Sequence, residues 1–220
     1  MVGRMNKEEV VEMTKLHIGE WKDLLILYKF GLDEINTKLK ILNEEFKYMY
    51  NHNPIEHLKS RVKDPAGITE KLKRKGCDPT KENAREYVQD IAGIRIICSF
   101  VSDIYKIYDM LDQQDDIHVI EVKDYIENPK PNGYKSLHLI LEVPVFLSNR
   151  TEMVKVEVQI RTVAMDFWAG IEHKLYYKYE KSVPDHLAGE LLKAAETVHA
   201  LDEKMSGLKK EVDLLEASHV

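Results

Sequence analysis

From Tyr28 the apolar residues fall at Leu32, Ile35, Leu39, Leu42, Phe46 and Met49, in steps of four and three. This spacing predicts one long amphipathic helix from about Glu8 to Tyr50. Trp21 and the run Leu24-Leu25-Ile26-Leu27 widen its apolar face as packing surface, Gly31 marks a place for a bend, and Asn51-His52-Asn53-Pro54 ends it. The period then shortens. A strand over His57–Lys63 leads through Asp64-Pro-Ala-Gly67 into a helix from Ile68 to Lys75 closed by Gly76, followed by a helix over Thr80–Val88. Ile94–Ser99 reads as a buried strand, Val101–Gln114 as a helix capped by Ser102 or Asp103, and Ile117–Val122 as a further strand.

Two segments keep strict alternation. Leu137, Leu139, Leu141 and Val143 alternate with Ser136, His138, Ile140 and Glu142, and Tyr134, Ser136 and His138 are expected on one face. After a turn over Pro144–Arg150, Val154, Val156, Val158 and Ile160 face one way, while Lys155, Glu157, Gln159 and Arg161 face the other. If the two pair as a hairpin, His138 lies near Glu157 and Gln159. From Thr162 the spacing is helical again. Pro184 opens a last helix in which Leu187, Leu191, Ala194, Val198, Leu201, Met205, Leu208, Val212 and Leu215 form a heptad seam. The region between the terminal helices is therefore α/β throughout.

Composition narrows what this frame does. With 220 residues, 44% hydrophobic, the chain buries one sizeable core flanked by long helices. The formal net charge of -6, from 32 basic and 38 acidic residues, argues against a whole-surface nucleic-acid binder and leaves room only for a local basic groove. Cys77 and Cys98 are too few for a disulfide framework, and no run is of membrane length or reads as a signal peptide. The expectation is a reduced, cytoplasmic, soluble protein.

The candidate chemistry is cationic loops beside carboxylates. Pro129 and Pro131 stiffen a loop around Lys130, Asn132-Gly133 supplies a turn, and Tyr134 emerges from it beside Lys123, Lys135 and His138. A rigid cationic loop with an exposed ring suits a nucleotide, with phosphates on the lysines and the base on the ring. Lys59, Arg61 and Lys63 alternate along one strand, where three cations repel unless an anion sits opposite; a polyphosphate fits. Lys71, Lys73, Arg74 and Lys75 crowd the end of the next helix. Arg95 is a charge inside an apolar strand and needs a partner, and Asp90 stands at that strand's entrance. His173 lacks a second His or Cys at ligand spacing and reads as structural. Neither a P-loop nor a dinucleotide fingerprint is present. Two carboxylates with phosphate oxygens are what Mg²⁺ accepts, and phosphoryl transfer needs such a metal, positioning cations and a base near the attacking hydroxyl.

Ser60-Arg-Val-Lys63, Asp90-Ile-Ala-Gly-Ile-Arg95, Lys123-Asp-Tyr-Ile, Pro129-Lys-Pro-Asn-Gly-Tyr-Lys-Ser-Leu-His138, Glu157-Val-Gln-Ile-Arg-Thr162 and Phe167-Trp-Ala-Gly-Ile-Glu-His173 stand in one order along Asn53–Tyr179. Jointly they resemble the synthetase domain of the RelA/SpoT homologues. With neither a hydrolase region before it nor a regulatory region after it in this sequence, the chain resembles a small alarmone synthetase, and its flanking helices are most similar to the RelP branch.

The resemblance implies an α+β fold, a mixed nucleotidyltransferase-like sheet with helices packed on it and long terminal helices. Residues 1–52 would form the N-terminal helical region, 53–180 the synthetase domain and 181–220 a C-terminal oligomerisation helix. It also implies pyrophosphate transfer from ATP to the 3′-hydroxyl of GDP or GTP, releasing AMP. By the same resemblance Arg61 and Arg95 sandwich adenine, and Lys63 with Lys71 holds ATP phosphates. Asp90 and Glu157 bind Mg²⁺, Glu157 also taking the 3′-hydroxyl proton. Tyr134 stacks on guanine, Lys130, Lys135 and His138 face acceptor phosphates, and Gln159 supports the site. Lys135 stands where many relatives carry Arg, a point charge in place of a fork. The heptad seams of the first and last helices, together with the resemblance, predict a homo-oligomer, a tetramer. Two alternatives stand beside this reading: a toxin of the same fold that pyrophosphorylates the 3′ end of tRNA, and a non-catalytic nucleotide-sensing scaffold.

Overall fold

The computed structural model describes residues 7–50, 52–178 and 184–218. The expected boundary at 180–181 lies outside them. Helix α1 (Lys7–Tyr50) leads into β1 (His57–Val62), α2 (Pro65–Arg74), α3 (Lys81–Tyr87) and β2 (Ala92–Cys98). Helix α4 (Val101–Asp112) and the strands β3 (His118–Asp124), β4 (Leu137–Phe146) and β5 (Thr151–Thr162) follow, then α5 (Val163–Lys178) and α6 (Asp185–Ala217). Asp64 caps α2 by accepting from Gly67 N, with Pro65 in its first turn, and Thr80 caps α3 by accepting from Asn83 N.

The five strands form one mixed sheet in the order β1-β2-β5-β4-β3; β2 and β5 run parallel and the other neighbours antiparallel. Alternation along β2, β4 and β5 sends Ile94, Ile96, Leu139, Leu141, Val143, Val154, Val156, Val158 and Ile160 into a core shared with Leu24, Leu32, Ile35 and Leu39 of α1. Helix α1 lies across β4, β5, β1 and β2. Gly31 does not interrupt it. A Cβ there would meet Val154 Cγ1 at 2.7 Å, so the glycine lets the helix backbone approach β5.

Several expectations change on folding. Leu24, Leu27, Tyr28, Leu32, Ile35 and Leu39 of α1 pack into the chain's own core, while Ile41 and Met49 are exposed. The distal part of α6 does leave Leu201, Met205, Leu208, Val212 and Leu215 exposed. Neither Ser102 nor Asp103 caps α4: Phe100 occupies the cap without a side-chain bond, and the fully buried Asp103 pairs with His52 Nε2 at 3.0 Å. The expected turn at Pro144 is strand as far as Phe146, and Pro144 pairs with Met153. Pairing of β4 with β3 reaches only Glu142, so beyond it β4 has an edge where a missing N–H removes no ladder bond.

Candidate active site

The face of the sheet turned away from α1 is polar, and the register sets its residues in two rows. Arg61 lies opposite Gly93, Gly93 opposite Glu157, Glu157 opposite Ile140 and Ile140 opposite Glu121. The next row runs Lys59, Arg95, Gln159, His138 and Lys123. The expected hairpin thus brings His138 beside Gln159, in the row next to Glu157. A bare glycine between Arg61 and Glu157 leaves the floor open, and a cavity of about 430 Å³ lies there, lined by Lys59, Arg61, Gly93, Arg95, Glu157 and Gln159. A second cavity of about 220 Å³, lined by Glu121, Lys123, Tyr125, Lys130, His138 and Glu157, opens toward β3. Glu157 lines both.

Asp90 stands just before β2, where its carboxylate accepts from Lys63 Nζ at 2.5 Å and from Lys71 Nζ at 2.8 Å. Burial pushes this carboxyl up, but the two ammonium hydrogen bonds outweigh it and hold it below the usual carboxylate range. Gln159 Nε2 donates to Glu157 Oε2 at 2.9 Å, fixing that carboxylate between the cavities.

The Tyr134 ring is held more elaborately. In the turn before Tyr134, Gly133 N donates to Lys130 O at 2.8 Å, Asn132 Oδ1 accepts from Tyr134 N, and Asn132 Nδ2 donates to Glu172 of α5 at 3.1 Å. Gly133 has φ of +86°, and a Cβ on it would run into Ala195 of α6. Trp168 Nε1 donates to Leu191 O at 3.0 Å, tying α5 to α6 behind the turn. Tyr134 OH lies 2.8 Å from His138 Nε2, and Tyr125, Tyr134 and His138 pack edge to face. Lys130 Nζ sits 4.7 Å from the Tyr125 ring and 4.8 Å from the Tyr134 ring. Burial, with the charges of Arg161, Lys130, Lys123 and Arg95, pushes the His138 pKa down to about 3, so its imidazole is neutral.

The chain matches the protein family described as "Region found in RelA / SpoT proteins" over residues 60–182. It is 57% identical over 199 residues to the GTP pyrophosphokinase YwaC of Bacillus subtilis (strain 168), covering 90% of this chain and 95% of that relative. The chain belongs to the RelA/SpoT family. Among solved structures it resembles the small alarmone synthetase 2 of B. subtilis, with a TM-score of 0.80 at 56% identity over 87% of this chain and 99% of that one. The small alarmone synthetase 1 of the same organism, solved bound to its product pppGpp, gives a TM-score of 0.79 at 40% identity over 87% and 97%.

Within this RelA/SpoT chain the structure gathers Arg61, Arg95, Glu157 and Gln159 around the larger cavity and Lys130 and His138 around the smaller. Lys63 and Lys71 meet at Asp90, and Tyr134 packs against His138. Lys135 does not join them. It lines a crevice with Gly133, Trp168, Ala195, His199 and Asp202, facing α6, where burial pulls its ammonium below its usual range against the pull of Glu203, Asp202 and Glu127. Ser136 is fully buried: its hydroxyl donates to Ile160 O at 3.1 Å and accepts from Arg161 Nε at 3.4 Å.

Arg161, missed as a site residue, is only 5% exposed. Its Nη2 donates to Tyr134 OH and, at 3.0 Å, to Gln159 Oε1; its guanidinium carbon lies 5.0 Å from the Tyr134 ring centre. The signal in sequence was its place two residues beyond Gln159 on the polar face of β5. Tyr125 was equally legible within Lys123-Asp-Tyr-Ile, and its turn is set by Asp124, which accepts from Ile126 N, Glu127 N and the Tyr105 hydroxyl.

Proposed function

We propose that this chain is a (p)ppGpp synthetase, a GTP pyrophosphokinase that moves the pyrophosphate of ATP to the 3′-hydroxyl of GDP or GTP and releases AMP. The observation that carries the reading is Glu157, the carboxylate shared by the two cavities. The larger cavity takes ATP, with Arg61 and Arg95 on the two faces of adenine and Lys63 and Lys71 on its phosphates. The smaller takes the guanine nucleotide, its base on Tyr134 and its phosphates toward Lys130, His138 and Lys123. His138, being neutral, meets the phosphate as a hydrogen-bond donor and not as a charge.

In the reaction the acceptor 3′-oxygen bonds to the β-phosphorus, and the bond from that phosphorus to the oxygen bridging it to the α-phosphate breaks. AMP carries that oxygen away, and the 3′-hydroxyl proton passes to Glu157. Gln159 and Arg161 hold Glu157 and Tyr134 in place. Among the described residues no group of three or more His, Cys, Asp or Glu converges. Asp90 and Glu157 instead offer a hard carboxylate pair to which substrate phosphates add, a donor set that fits Mg²⁺. Each Asp90 oxygen bonds a single ammonium and keeps a lone pair for a cation. Bound there, Mg²⁺ would neutralise charge developing on the phosphates.

The distal apolar stripe of α6 supports a homo-oligomer, a tetramer, in the cytoplasm where ATP and free thiols such as Cys77 and Cys98 persist. The negative net charge disfavours the tRNA acceptor.

The decisive experiment incubates the protein with Mg²⁺ and γ-labelled ATP, offering GDP, GTP or deacylated tRNA separately. Label on the guanosine nucleotides with AMP released is expected; label on tRNA alone establishes the toxin, and no transfer the scaffold.

A further inference from the structure

Asp166 sits in the first turn of α5, where its Oδ1 accepts from Arg161 Nη1 at 3.2 Å and forms an ion pair with Arg95 Nη1 at 3.3 Å. Both distances exceed the roughly 2.7–2.9 Å of one guanidinium on one carboxylate, as follows when two cations divide a single oxygen. The arginines serve different halves of the cleft. Arg95 lines the larger cavity. Arg161 lies behind the smaller one, holding Tyr134 and Gln159.

We propose that Asp166 is a positioning residue that couples occupation of the ATP cavity to the order of the guanine-nucleotide site, an inference that rests on the assignment of the two cavities above. With the larger cavity empty, the Asp166 charge is divided. A donor base stacked on Arg95 draws that guanidinium into the cavity and leaves Oδ1 to Arg161. The undivided attraction then fixes the Arg161 fork, whose Nε also reaches Ser136 Oγ at 3.4 Å. The fork in turn fixes the Tyr134 ring and, through Gln159, the Glu157 carboxylate. ATP thereby readies the acceptor ring and the base together, and the acceptor strengthens ATP binding by the same factor. Replacing the carboxylate by an amide keeps the shape and removes the charge that is divided.

The test is calorimetric, on the full chain with Mg²⁺. The Kd of GDP is measured with and without saturating α,β-methylene-ATP, whose methylene bridge blocks transfer, in the parent and in Asp166→Asn, Asp166→Glu and Arg161→Lys. Thermal melting in the same buffer establishes that each variant is folded. In the parent the analogue is expected to tighten GDP by roughly five- to tenfold, toward the low end of ordinary coupling factors. Asp166→Asn should keep the Kd of each nucleotide alone within about threefold and bring the coupling factor near one. Asp166→Glu should restore part of the factor, and Arg161→Lys, which keeps the charge but loses the fork, should lower it to about twofold or less. A parent-like factor in folded Asp166→Asn or Arg161→Lys overturns the proposal. So does a parent factor of one when both nucleotides bind, which leaves the functional reading intact. Failure of the parent to bind either nucleotide overturns that reading itself, and the coupling with it.

Discussion

The two halves of the cleft are built in different ways. Around the larger cavity the residues stand on adjacent strands, and the ladder between β1, β2 and β5 sets where Lys59, Arg61, Arg95 and Glu157 lie. On the other side the Tyr134 ring sits in a loop, outside any strand, and its place depends on Asn132 reaching Glu172, Gly133 fitting under Ala195 and Arg161 gripping the hydroxyl. The first half is a sheet surface. The second is a loop clamped by two helices distant in sequence. Changes on the first should alter chemistry with little effect on shape, whereas changes behind the second should alter affinity for one substrate.

The largest effect should come from the residue both halves share. Glu157→Gln is expected to lower turnover by at least about 10³, roughly 4 kcal/mol of barrier, with the melting temperature retained. Steady-state kinetics at saturating nucleotide check this; near-parental turnover would remove Glu157 as the base. Tyr134→Ala should raise the KM for GDP or GTP ten- to a hundredfold, about 1–3 kcal/mol of stacking, and leave the KM for ATP within about threefold. Equal losses for both nucleotides would erase the division between the halves.

The third prediction uses pH. The folded His138 pKa of about 3 lies below the unfolded 6.5, so the unfolded chain binds the extra proton between those values and stability falls as pH drops through that window. From pH 7 to pH 5 the loss assigned to this imidazole is about 2 kcal/mol. His138→Gln should flatten the slope measured by urea unfolding over that range; an unchanged slope would mean that the ring is not buried as a neutral group. The smallest effect concerns Lys135. Because it faces α6 and not the acceptor cavity, Lys135→Gln should change the KM for GDP by less than about threefold. A tenfold rise would return Lys135 to the phosphates.

The contrast between the halves also governs what could be read in the sequence. Strict alternation in β4 and β5 gave their faces, because each strand buries one side against α1. That His138 lies beside Gln159 followed from pairing those strands. The reading failed where periodicity stopped carrying information. Tyr134, Lys135 and Ser136 precede β4, so alternation announced neither the burial of Ser136 nor the crevice that Lys135 lines. Where Lys135 points is decided by α6, some sixty residues later. Asp103 had the position of a helix cap and became instead the buried partner of His52, a contact between the end of α1 and α4 that no local pattern announces. The apolar periodicity of α1 says that a face is buried but not against what; from Leu24 to Leu39 it packs on the chain's own sheet.

The order of strands has a temporal consequence. The middle strand of the sheet, β5, is the last of the five in sequence, flanked by β2 from one half and β4 from the other. The pairs β1 with β2 and β3 with β4 are joined by shorter connections, while β2 meets β5 only after a loop of more than fifty residues has closed. The β1–β2 pair and the β3–β4 pair thus lack the strand that joins them until Thr162 has been made. Glu157 arrives with the strand that joins them, so the carboxylate shared by the two cavities is the last part of the cleft to take its place.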